Sequence, residues 1–207
     1  MYARSTTVTA APASVDAGIM QVRDEVMPRL LEMDGCIGLS MIVDRESGRC
    51  IATSAWQSEE SMRATDSELR PVRSRVAELM GGGEPQVEEW EIAVLHRDHK
   101  SGPGACVRAT WVQIDPAVMD RSIDVYRMAS LPRIEDLSGF CSASLLVDRS
   151  SGRTVSSITY DSREAMDSTR EAAASMRAAI AKDVGAEVLD VGEFELAIAH
   201  LRVPELT

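Results

Sequence analysis

Val43-Asp44-Arg45-Glu46-Ser47-Gly48-Arg49 returns 104 residues later as Val147-Asp148-Arg149-Ser150-Ser151-Gly152-Arg153. With Asp44 placed over Asp148, the chain aligns with itself without a gap from Tyr2/Cys106 to His96/His200. Roughly 30% of the pairs are identical, well above chance at one fixed register. Arg4/Arg108, Thr6/Thr110, Pro12/Pro116, Arg23/Arg127, Pro28/Pro132, Gly35/Gly139, Met62/Met166, Glu91/Glu195 and His96/His200 are among them. A period this long marks a duplicated domain, because solenoid units are shorter. The boundaries expected are 1–97 for the first repeat, 98–105 for a linker containing Ser101, Gly102, Pro103 and Gly104, and 106–207 for the second.

Outward from the repeated heptapeptide, Gly38 to Asp44 and Cys50 to Trp56 read as two strands, and the polar, Gly-containing connection is a hairpin signal. Tyr2 to Val8, rich in Thr and Val, reads as a strand before it. Pro12 suits a helix start, and Val15, Ile19, Val22, Val26, Leu30 and Met33 form one apolar stripe. Pro28 and Pro132 lie inside this stripe and should kink or split the helix. Ser58 reads as an N-cap, with Glu59 and Glu60 in the first turn of a helix reaching Leu79. Val87 to Leu95 closes the set as a strand. The order is β-α-β-β-α-β twice, the ferredoxin-like arrangement with both helices on one sheet face. The other face needs a cover, and a second copy in the same chain supplies one. The fold expected is α+β: two ferredoxin-like repeats forming an intramolecular, dimeric α/β-barrel-like pseudo-dimer, with a further homodimer open.

The chain has 207 residues and a net charge of −11, with no Lys/Arg run that would form a phosphate-binding stripe. Nucleic acid and anionic membranes are therefore excluded as expected partners. No apolar stretch is long enough to span a bilayer, and the first residues lack a signal-peptide pattern. A cytoplasmic protein with reduced thiols is expected, since Cys36, Cys50, Cys106 and Cys141 form no C-x-x-C pair. Scattered histidines without ligand spacing give no metal site, and no cofactor is expected.

Ala55-Trp56-Gln57-Ser58-Glu59-Glu60-Ser61-Met62, with the Pro28-to-Gly35 helix end and the hairpin, resembles the antibiotic biosynthesis monooxygenase-like family of the dimeric α/β-barrel superfamily. The second copy reads Thr159-Tyr160-Asp161-Ser162-Arg163-Glu164-Ala165-Met166, with tyrosine for tryptophan. The resemblance covers almost the whole chain. It implies a cofactor-independent oxidation of an aromatic, quinol- or anthrone-type small molecule. The chain departs from the family's oxygenases and haem degraders in having no asparagine, with Ala52 and Ser156 where one would precede the aromatic residue. The alternative is a non-catalytic small-molecule-binding or stress-response module on the same scaffold.

Trp56 and Tyr160 are the candidate aromatic groups, against a reading as core aromatics. His96 and His200 are candidate general bases, against strand-end histidines satisfied by backbone. Arg4 and Arg108 are candidate ligand-binding cations, against ion pairs with Glu91 and Glu195 on the neighbouring strand. Trp111, where the first copy has Thr7, is a further candidate ligand contact. This divergence leads to the expectation that the two halves have different pockets.

Overall fold

A computed structural model describes residues 1–201 and 204–206. It has eight strands, β1 (Tyr2–Thr9), β2 (Cys36–Val43), β3 (Arg49–Trp56), β4 (Gln86–Arg97), β5 (Cys106–Gln113), β6 (Phe140–Asp148), β7 (Arg153–Tyr160) and β8 (Glu187–Leu201). The helices are α1 (Val15–Gln21), α2 (Met27–Leu31), α3 (Glu59–Ala64), α4 (Asp66–Leu79), α5 (Met119–Val125), α6 (Leu131–Glu135), α7 (Arg163–Ser168) and α8 (Arg170–Val184). β1, α1, α2, β3 and α3 recur at the same offset of 104 with identical bounds, as does a 3-10 turn opened by Pro12 or Pro116.

The chain divides into two compact units, one of Met1–Trp90 with Leu196–Val203, the other of Glu91–Glu195 with Pro204–Thr207. In the first, β3 lies between β1 and β2, antiparallel to both. In the second, β7 pairs with β5 and β6 in the same way. There β5 also pairs with the 187–195 part of β8, and β6 with the 91–97 part of β4. The first core gathers Val15, Val22, Met41, Trp56, Met62 and Met80. The second gathers Met119, Ile123, Phe140, Tyr160, Met166 and Met176.

The repeated heptapeptide is the β2–β3 and β6–β7 turn. The Asp44 carboxylate accepts from the Glu46 amide at 3.0 Å, and that of Asp148 from the Ser150 amide at 2.9 Å. This local bonding is why aspartate starts such turns. Gly48 and Gly152 sit at φ +76° and +77°, and a Cβ there would lie 2.1 Å from the carbonyl oxygens of Ala10 and Ile114. Only glycine fits. Arg45 and Arg149 reach Asp16 and Asp120 at 2.8 and 2.7 Å, tying each turn to its first helix.

The prolines split the first helix by widening the turn before them. The Met27 amide bonds the Val22 carbonyl, and the Leu131 amide the Tyr126 carbonyl, each five residues back. The π-turn absorbs the donor that Pro28 and Pro132 lack. The Ser58 and Ser162 caps form, accepting from the amides of Ser61 and Ala165 at 3.0 and 3.1 Å. The helix expected from there to Leu79 is in fact two, broken at Thr65 and again at Thr169. At both, the threonine hydroxyl donates to the methionine carbonyl three residues back, at 2.8 Å. That local bond competes with the helix ladder.

Candidate functional site

Each unit holds a cavity between its sheet and its helices. In the second unit it measures about 130 Å³, in the first about 70 Å³. Arg108, Thr110 and Val112 on alternate positions of β5 face the larger one, as Arg4, Thr6 and Val8 on β1 face the smaller.

Two positions open space in the second cavity, while Tyr126, Met176 and Ile158 stand where the first has the smaller Val22, Val72 and Ser54. Leu69 and Met80 line the first cavity, and Ala173 and Val184 stand at their places in the second. Met80 is packed so closely on Gly18 that a Cβ there would lie 2.6 Å from it. Polarity differs too: Val22, Val26 and Ala52 in the first become Tyr126, Ser130 and Ser156 in the second. The Tyr126 hydroxyl lies 3.1 Å from Ser156 Oγ, and burial pushes its pKa up to about 12. It is therefore a neutral hydroxyl that can donate into the cavity.

The arginines differ most. In the first unit Arg73 donates to Asp66 at 2.5 Å, and Arg70 to the same carboxylate at 2.7 Å. Arg170 occupies the place of Asp66 in the second unit. It turns to Glu193 and Asp167, at 2.8 and 2.6 Å. Arg177, the counterpart of Arg73, lines the larger cavity and makes no hydrogen bond or ion pair among the described residues. Burial, and then the like charge of Arg108, lower its pKa. A half-buried cation beside an apolar cavity favours an anion there.

The structure separates the residues singled out in the sequence. Arg4 and Arg108 line the cavities, but their partners are Glu89, at 2.6 Å, and Glu193, at 2.9 Å. The expected pairs with Glu91 and Glu195 do not form. Arg108 lies opposite Glu193 in the β5–β8 register and Cys106 opposite Glu195, a displacement of two residues. Glu91 instead binds Arg149. Arg108 also donates to the Tyr160 hydroxyl, Thr169 Oγ1 and the Met166 carbonyl, at 3.3, 3.1 and 2.8 Å. Trp56 and Tyr160 are both fully buried and line neither cavity; Trp56 Nε1 donates to Ser54 at 3.0 Å. Trp111 is on the opposite sheet face from Thr110, edge-on to Phe194. His96 binds Glu135 at 2.7 Å and stacks on Phe140. His200 has a buried Nε2 with no hydrogen-bond partner among the described residues. Neither histidine lines either of these two cavities. Tyr126, Thr169, Arg177 and Glu193 were missed. Thr65/Thr169, Arg73/Arg177 and Glu89/Glu193 are identical pairs in the repeat, a signal that pointed to the last three, while Tyr126 stands opposite Val22 and carried no such signal. No helix among the described residues is long and apolar enough to cross a membrane.

The fold class is that of the antibiotic biosynthesis monooxygenase-like proteins. An anthrone oxidase-like protein superposes with a TM-score of 0.66 at 14% identity, covering 94% of this chain and 90% of the other. A ferredoxin-fold protein related to antibiotic biosynthesis monooxygenases, from Listeria monocytogenes, gives 0.52 at 9% identity and 95% of each chain. A heme-degrading enzyme from Listeria monocytogenes gives 0.55 at 9% identity, over 94% and 99%. No family model matches the sequence. The chain belongs to the family of two Mycobacterium tuberculosis proteins, Uncharacterized protein Rv2557 and Uncharacterized protein Rv2558. It is 57% identical to Rv2557 over 206 residues, covering 100% of this chain and 92% of that protein. It is 58% identical to Rv2558 over 207 residues, covering 100% and 87%.

Proposed function

We propose that the second unit binds a small anionic molecule with an apolar, ring-sized body, seated in the cavity with its charged end on Arg177. The unpaired Arg177 at the wall of an otherwise apolar cavity carries this reading. The size fits one ring: an engineered cavity of about 150 Å³ takes benzene, and three fused rings need far more. The lining holds no His, Asp, Glu or Cys among the described residues, so no side chain there takes a proton near neutral pH. Binding is therefore favoured over acid–base catalysis. The test is calorimetric titration with benzoate and, as the uncharged comparison, toluene. Saturable benzoate binding, weakened about tenfold or more in Arg177→Gln, is expected. Equal binding by that variant, or none by the wild type, sinks the reading.

The monooxygenase-like neighbours favour a second reading, oxidation of an aromatic molecule of quinol type at the same site. Arg177 and the Tyr126 hydroxyl would stabilise the oxyanion of an ionised hydroquinone. Two electrons and two protons would pass to O2, giving quinone and hydrogen peroxide. Oxygen uptake with hydroquinone above the uncatalysed rate, lost in Arg177→Gln, supports this, and uptake at the blank rate rejects it. The recurrence of elements at one offset supports reading the chain as two ferredoxin-like copies, 1–97 and 106–207, serving as an intramolecular pseudo-dimer.

A further inference from the structure

Away from the cavity, three chain segments of the second unit converge where the buried Cys141 meets the exposed His99 and Asp161. The amides of Asp98 and His99 both donate to the Cys141 carbonyl, at 2.9 and 3.4 Å, and the Asp161 amide donates to the Gly139 carbonyl at 2.8 Å. These backbone bonds fix where the side chains emerge. His99 Nε2 lies 2.8 Å from Asp161 Oδ1, and Cys141 Sγ lies 3.0 Å from the same oxygen. The donor atoms of His99, Cys141 and Asp161 all fall within 4.8 Å of one another. On the far side of the ring, His99 Nδ1 lies 2.7 Å from Asp98 Oδ2.

We propose that His99 Nε2, Cys141 Sγ and an Asp161 carboxylate oxygen form a zinc site, with Asp98 orienting the imidazole. Imidazole, thiolate and carboxylate are the donors zinc takes, at bond lengths of about 2.0–2.3 Å, which set tetrahedral donors about 3.3–3.8 Å apart. The present spacings reach that range by shifts of under about 1 Å. The carboxylate on the second ring nitrogen is the outer contact that metal-binding histidines regularly have, holding Nε2 toward the ion. Without the ion, two protons can face Asp161, one on imidazole Nε2 and one on the thiol, whose sulfur lies 3.0 Å from the carboxylate. Zinc would replace them, releasing both to water with no change of oxidation state. Three protein ligands leave one tetrahedral position for water. The first copy has Ile37 and Gln57 where the second has Cys141 and Asp161, so one ion per chain is expected.

The test uses the full chain, stripped with a chelator and dialysed, then titrated with Zn2+ against a chromophoric chelator and separately with Co2+. One equivalent of zinc and a thiolate-to-cobalt absorption band in the near ultraviolet are expected. Cys141→Ser should abolish the band, and His99→Gln should weaken zinc binding about tenfold or more. Asp98→Asn, which leaves all three ligands in place, should weaken it about tenfold. His99 is exposed, so its variant tests the site even if Cys141→Ser does not fold. No zinc held against the chelator overturns the proposal, as does wild-type affinity in His99→Gln.

Discussion

Arg73 donates to Asp66 across 2.5 Å in the first unit, and the residue at the place of Asp66 in the second unit is Arg170. One substitution between the copies thus removes the anion that would occupy Arg177. Restoring it should close the site. In Arg170→Asp, benzoate affinity measured by calorimetry should fall about tenfold, while Arg170→Ala, which adds no acid, keeps it. Equal affinity in both variants would show that Arg177 does not hold the ligand.

The same pair gives a pH dependence in the first unit. Hydrogen bonds from Arg70, then Arg73, hold the Asp66 carboxyl at about 2, below its ordinary 3.8. Its folded pKa is depressed, so its contribution is fully present above pH ~4 and is lost as pH falls through about 2. The carboxylate is 32% exposed, which screens the effect. Asp66→Asn should cost about 1–2 kcal/mol at pH 7. Urea melts from pH 7 to pH 2 should show wild type and variant converging at the acid end. A constant gap across that range would assign the loss to packing instead of charge.

Tyr160 separates a structural role from a chemical one. Its hydroxyl accepts from Arg108 Nη1 at 3.3 Å, and its ring lies outside the cavity lining. Arg108 keeps Glu193, Thr169 and the Met166 carbonyl when that hydroxyl is removed. Tyr160→Phe should therefore lower stability by about 1 kcal/mol and leave benzoate affinity unchanged. Unchanged stability with lost binding would return Tyr160 to the ligand.

The sequence carried the elements and left the site hidden, for a physical reason. Strand alternation, the proline starts, the Ser58 cap and the 104-residue register are one-dimensional signals, and the backbone follows them closely. The breaks at Thr65 and Thr169 come from side-chain bonds to nearby carbonyls, which hydropathy does not register. The two-residue displacement of the Arg108 pair depends on strand register, which alternation alone leaves open, because Glu193 and Glu195 face the same way. The cavity depends on how side chains from separate elements pack, with Ala173 and Val184 smaller than Leu69 and Met80 but Tyr126 larger than Val22, and no one-dimensional signal carries that balance. The His99, Cys141 and Asp161 group joins segments far apart in the chain, so no spacing rule finds it.

The volume difference yields the most direct test of where the ligand sits. Leu69 is buried in the first unit, and its counterpart Ala173 is a wall of the larger cavity. Ala173→Leu puts the first copy's side chain into the second copy's cavity. Filling apolar space without displacing a polar group should raise stability by about 1 kcal/mol, because added carbons replace a void. Ligand affinity should fall below detection, since a ring and a leucine cannot share about 130 Å³. The reverse change, Leu69→Ala, should cost about 2–4 kcal/mol by opening space in the first core. It should create no benzoate site, because Arg73 remains bound to Asp66. Benzoate binding that survives Ala173→Leu would place the ligand outside the cavity.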